Sequence, residues 1–261
     1  MTAIQPLYSI AGLLVGLLVG ITGVGGGSLM TPLLILAFNF HPSVAVGTDL
    51  LYASVTKSVG SAVHGWSGSI DWRILGRLAL GSTPAAIICL IILARMGHPS
   101  AEASSLIKSV LGVTLLFTAI AIFFRERLHH WAERRRIRRG RAIRNTGALT
   151  ILLGAVLGVA VSLSSVGAGA IGATVLLMLY PSLSLHRIVG TDIAHAVPLT
   201  LIGGIGHWYL GTVDVSLLAS LLAGSIPGII IGSLLAPRVK EHWLRPVIAV
   251  TLALVGFTLL R

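Results

Sequence analysis

Ten apolar runs, five on either side of one basic stretch, limit this chain more than any other feature it has. They fall at roughly 7–22, 28–39, 44–64, 73–95 and 104–124, and then at 147–163, 169–180, 187–207, 216–236 and 242–260. About 20 apolar residues suffice for a helix to cross a hydrocarbon core about 30 Å thick. Hydrophobic residues make up 55% of the 261 and charged residues only 10%, against about 25% charged in ordinary soluble domains. A water-soluble fold could not cover that much apolar surface. The fold class expected is an all-α polytopic membrane protein with about 8–10 transmembrane helices.

The net charge of +11 does not point to nucleic acid. Nine of the 19 Lys and Arg lie between Arg125 and Arg144, and no separate domain is long enough to carry such a function. A basic block between transmembrane runs marks a cytoplasmic loop that can also touch anionic headgroups. Three regions follow: a first transmembrane repeat over 1–124, a basic cytoplasmic loop over 125–146, and a second repeat over 147–261. Cys89 is the only cysteine, so neither a disulfide framework nor a thiol metal motif is expected. The N-terminus lacks the basic start and cleavage site of a removable signal peptide.

The two halves are repeats. "GTD" at Gly47–Asp49 returns at Gly190–Asp192, His64 returns as His207, Ile70-Asp71 as Val213-Asp214, and "GSTP" from Gly81 as "GSIP" from Gly224, all at an offset of 143 residues. Gly12 and Gly16 match Gly154 and Gly158 at 142. A register held through so many landmarks identifies an internal repeat. An odd number of crossings per repeat turns the halves over. Arg73, Arg77, Arg187, Arg238, Lys240 and Arg245 then join the basic block inside, and both termini face out. The positive-inside bias fits an inverted 5+5 arrangement with one short Gly-interrupted segment in each half.

Those short segments are the first site candidates. Broken helices expose backbone N–H groups and a positive dipole end that an anion can satisfy and lipid cannot. "GVGGGS" presents Gly25, Gly26, Gly27 and Ser28, and "SSVGAG" presents Ser164, Ser165, Gly167 and Gly169. For any single glycine, close helix packing is the competing reading. On the third segment of each half, Asp49, Ala53, Thr56, Lys57, Gly60 and His64 share one face, as do Asp192, Ala196, Leu199, Thr200, Gly203 and His207, with His195 at the edge. Ionisable groups inside a span usually face the bundle interior. Lys57, whose repeat partner is Thr200, is the expected electrostatic anchor of an anion. The alternative is an ion pair with Asp49 or Asp192 that fixes helix packing. Asp49 and Asp192 read as helix-start caps, and together with His64, His195 and His207 they form the candidate set for proton or ion coupling or gating. Asp71 and Asp214 read as N-caps.

At these residues the chain resembles the sulfite exporter TauE/SafE family of membrane permeases. The likeness is carried by "GLLVGLLVGITGVGGGSLMTPLLIL", by "AVGTDLLYASVTKSVGSAVHGWSGSIDW", and by the second-half echoes "VGTDIAHAVPLTLIGGIGHWYLGTVD" and "GSIPGIIIGSLLAPRV". The resemblance implies a secondary transporter, an exporter of small sulfur-containing anions such as sulfite, sulfoacetate or related organosulfonates, in the bacterial cytoplasmic (inner) membrane. No P-loop is present to supply energy from ATP. The expected partners are a small anionic substrate and the lipid bilayer, without nucleic acid, cofactor or metal, and a homodimer is left open. Two other classes compete: an anion channel, and an intramembrane hydrolase using Ser28 or Ser54 with His64.

Overall fold

The computed structural model describes residues 4–22, 27–64, 70–96, 101–138, 145–235 and 241–261. These residues are helical, without strands, in the order α1 Pro6–Thr22, α2 Gly27–Leu36, α3 Pro42–His64, α4 Trp72–Arg95, α5 Ala101–Arg138, α6 Thr146–Ser164, α7 Ala170–Leu179, α8 Leu185–Tyr209, α9 Val215–Leu235 and α10 Glu241–Leu260. Five stretches are long and apolar enough to cross a membrane: 72–95, 101–124, 146–164, 186–209 and 215–235. The protein is therefore an all-α polytopic membrane protein. Large apolar side chains such as Leu80, Phe117, Leu152, Leu234 and Leu254 face outward, as they should where the solvent is lipid.

Two boundaries differ from the sequence expectation. The fifth helix does not stop at residue 124 but continues to Arg138. Ten of the 14 added residues are Arg, Glu, Leu or Ala, strong helix formers, and the next helix breaker is Gly140. A helix of 38 residues is about 57 Å long, well beyond what a bilayer core requires. Where the apolar part of α5 gives way to the basic part, the Arg127 guanidinium lies 5.6 Å from the centre of the Phe124 ring.

The second difference changes the roles of Asp49 and Asp192. α3 starts at Pro42 and α8 at Leu185, so both aspartates sit about two turns inside their helices and neither is a cap. "GT" was expected to mark a helix start, but Gly47 is a packing contact. A Cβ there would lie 2.6 Å from the Thr212 carbonyl oxygen. Pro42 starts α3 because its ring presets a helical φ. Ser184 caps α8 by accepting from the Arg187 N–H at 3.4 Å. Asp71 and Asp214 do cap. The Asp71 carboxylate accepts from the N–H groups of Arg73 and Ile74 at 3.1 and 3.2 Å. That of Asp214 accepts from Leu217 N–H at 2.9 Å.

The packing repeats itself with the halves exchanged. α1 lies along α9, and α4 along α6. Cβ atoms on Gly12, Gly16 and Gly20 would strike Leu221, Ser225 and Ile229, and those on Gly154 and Gly158 would strike Leu78 and Ser82. Contacts that advance together in this way define parallel pairs, brought to backbone contact by small residues as membrane helices commonly are. The Asp71 N–H donates to Thr191 Oγ1 at 2.8 Å, and the Asp214 N–H to Thr48 Oγ1 at 3.0 Å. α3 and α8 run antiparallel. Gly47 meets His207 and Thr212, whereas Gly203 and Gly204 meet Leu50 and Leu51.

Candidate functional site

The buried charges gather where α3 crosses α8. Asp49, Lys57 and Asp192 are 0%, 7% and 1% exposed, and His195 on α8 is 1% exposed. Asp49, Ala53, Thr56 and Lys57 recur on one helical face and are all buried, as the helical period requires. On α8 the same holds for Asp192, Ala196, Leu199, Thr200 and His207. Each face is enclosed by elements of both halves.

Lys57 leaves its own half. Its Nζ donates to the Ala168 carbonyl at 3.4 Å, inside the break between α6 and α7. Lys57 feels the charges of Asp192 and Asp49, yet among the described residues no ion pair joins it to either. The alternative of a lysine locked into a packing ion pair is not what these residues form.

The break that Lys57 reaches is built by backbone chemistry. α6 ends on Ser165 in the left-handed region (φ 58°), whose N–H donates to the Val161 carbonyl at 2.8 Å. Gly167 and Gly169 have φ of 120° and 124°, which side-chain-bearing residues rarely adopt. The Gly172 N–H donates back to the Gly167 carbonyl at 3.2 Å. The Ser164 hydroxyl is committed to the local structure. It donates to the Ala160 carbonyl at 2.6 Å and accepts from the Val166 N–H at 3.2 Å and from Thr114 Oγ1 at 3.2 Å. Ser165 Oγ has no hydrogen bond and lies beside Asp49.

The two aspartates, equivalent in the repeat, are unequally supported. Asp49 Oδ2 accepts from Thr31 Oγ1 of α2. Neither oxygen of Asp192 has a hydrogen-bond partner. The Gly169 backbone lies beside that carboxylate short of bonding geometry, and Asp192 Oδ1 would be 2.0 Å from a Cβ on Gly172. His195 Nε2 shares a hydrogen bond of 2.8 Å with Ser82 Oγ, and its Nδ1 has no partner. The repeat equivalent of this pair is Tyr52 facing Ser225, both fully buried. Through the repeat, aspartate corresponds to aspartate, but lysine corresponds to threonine and tyrosine to histidine.

Other candidates lie apart from this cluster. His207 is fully buried, with Nδ1 2.8 Å from Thr212 Oγ1 and Nε2 3.0 Å from the Ser162 carbonyl, and so clasps the end of α8 to α6. Ser28 is buried on α2 and Gly27 opens that helix. Gly25, Gly26 and the His64 side chain lie outside the described residues. Ser54 donates its hydroxyl to the Leu51 carbonyl at 2.8 Å within its own helix. Among the described residues no group of three His, Cys, Asp or Glu could hold a metal ion. Thr31, Tyr52, Ser82 and Ser225 escaped the sequence reading. For the two serines a signal existed, since "GSTP" and "GSIP" are themselves repeat landmarks.

The comparisons agree with the fold. The family model described as sulfite exporter TauE/SafE matches residues 8–259. The probable membrane transporter protein YjnA of Bacillus subtilis (strain 168) is 42% identical over 95% of this chain and 97% of its own length. YdhB of the same organism, also a probable membrane transporter protein, is 29% identical over 95% and 96%. MJ0441 of Methanocaldococcus jannaschii, with the same description, is 26% identical over 77% and 70%. No solved structure gives a significant match. With residues 8–259 covered, the chain belongs to the sulfite exporter TauE/SafE family and is a multi-pass membrane transporter.

Proposed function

We propose that this transporter carries a small sulfur-containing oxyanion, such as sulfite, sulfoacetate or a related sulfonate, outward across a bacterial cytoplasmic membrane by alternating access between two inverted repeats. The observation that carries the reading is the buried Lys57 ammonium directed into the α6–α7 break. An anion leaving water for a low-dielectric cavity loses hydration worth several kcal/mol, and one helix N-terminus returns only about half a charge. A full positive charge beside an opened helix offsets more of that cost. Ser165, Gly167 and Gly169 line the break, and Ser28 with Gly27 holds the corresponding place at the start of α2. Ser164 acts one step back, stitching the break.

The antiparallel crossing of α3 and α8 supports the inverted relation, because sequence-equivalent helices run in opposite directions there. In that orientation the basic segment is cytoplasmic and both termini lie outside. The test is thermal unfolding of the purified protein against sulfite, thiosulfate, sulfoacetate, taurine, sulfate and chloride. A ligand at a hundredfold its Kd stabilises by about 2.7 kcal/mol. Stabilisation by sulfur oxyanions but not chloride is the expected result, and no response to any of them would overturn the reading.

A further inference from the structure

The buried charges do not balance, and the imbalance falls on Asp192. Two carboxylates and one ammonium are enclosed together, with Asp49 and Asp192 both acting on Lys57. Fully ionised, they sum to one negative charge before any anion arrives. A dianion such as sulfate, thiosulfate or sulfoacetate held at Lys57 would add two more, and uncompensated buried charge is strongly disfavoured. Occupation of the site therefore needs a compensating positive charge.

The hydrogen bonding indicates where it goes. Asp49 has one oxygen bonded, with Thr31 Oγ1 donating to Oδ2, Ser165 Oγ at its side and Oδ1 without a partner. Asp192 is buried with neither oxygen bonded. His195, one turn along α8, already shares a hydrogen bond with Ser82 Oγ through Nε2. The elements packed against α8 are α3, α4, α6 and α7. α3 supplies Asp49, Tyr52, Lys57 and His64; α4 supplies Arg73, Arg77, Cys89 and Arg95; α6 and α7 contain no titratable side chain. Among the described side chains of these elements, Lys57 acts electrostatically on Asp192. A metal cation would meet that same ammonium and need several oxygen ligands at once, whereas a proton needs only a carboxylate lone pair.

Resting on the anion-transporter reading, we infer that Asp192 takes up one proton each time an anion occupies the Lys57 site, so that anion and proton cross together in the same direction. The proton adds to a carboxylate oxygen from water as the anion enters and returns to water as it leaves; no electrons move.

The test is titration calorimetry of the purified wild-type protein with thiosulfate, sulfoacetate and sulfate, which do not titrate between about pH 6 and 8, in buffers of different ionisation enthalpy. The expected result is uptake of one proton per bound anion, with affinity falling up to about tenfold per unit rise in pH by linkage. Asp192→Asn holds the neutral form, so in a folded variant uptake vanishes and the pH dependence flattens. Anion binding by wild type without proton uptake overturns the coupling. So does binding that requires sodium. Undiminished uptake in folded Asp192→Asn overturns the assignment to Asp192. If none of the three anions binds, the transporter reading itself fails and the coupling falls with it.

Discussion

The Lys57 ammonium, on the third helix of the first half, donates to the Ala168 carbonyl at 3.4 Å inside the helix break of the second half. The cation of one repeat is thereby placed at the discontinuity of the other. A change in how the halves pack must move the charge relative to the break, which links transport geometry to electrostatics.

Lys57→Met keeps the stem of the side chain and removes its charge. Anion affinity should fall at least tenfold, about 1.4 kcal/mol, while the protein still elutes as a monodisperse species in detergent. Unchanged binding by the variant would assign Lys57 a structural role.

Gly172→Ala forces a methyl group against Asp192 Oδ1, 2.0 Å from where its Cβ would sit. Overpacking of this kind costs on the order of 1–3 kcal/mol, visible as a lowered Tm. Gly76→Ala on α4 meets nothing within 4 Å. That substitution should be neutral or stabilising by up to about 1 kcal/mol.

Gly81→Val and Gly224→Val should each disrupt folding. A Cβ at Gly81 would lie 1.9 Å from the Ile151 carbonyl oxygen, and one at Gly224 1.8 Å from that of Ser9. Because the two contacts correspond through the repeat, the losses of folded yield should be similar. A tolerant Gly81→Val would show that the α4–α6 contact can relax.

Asp71→Ala and Arg187→Gln separate a cap from an ion pair. Asp71 caps α4 and also lies 3.7 Å from the Arg187 guanidinium, with side chains 22% and 45% exposed. Loss of the cap costs about 1 kcal/mol, and loss of so exposed a pair less than about 1 kcal/mol. Thermal unfolding should rank Asp71→Ala as the more damaging change.

Arg139→Cys should react with an impermeant maleimide only from the cytoplasmic face. Cys89 is buried and contributes little background. Neutralising Arg134, Arg135 and Arg136 together should leave anion affinity within about twofold. Labelling from outside intact cells would reverse the orientation of both repeats.

The sequence by itself determined the lipid solvent, the helical class, the positions of most helices to within a few residues and the register of the repeat. Hydropathy and helical period are local properties, and a repeat is a comparison of the chain with itself. Composition also marked Lys57, because a cation inside an apolar run stands out without any knowledge of its neighbours. Only the tertiary structure decided what surrounds those residues. Asp49 and Asp192 look alike in sequence, each following "GT", yet one accepts a hydrogen bond from Thr31 and the other has none. The end of α5 was missed because a run of arginines resembles a loop in composition and a helix in propensity. Hydrogen-bond partners such as Thr31 for Asp49 and Ser82 for His195 come from other helices, and their distance along the chain carries no trace of the contact.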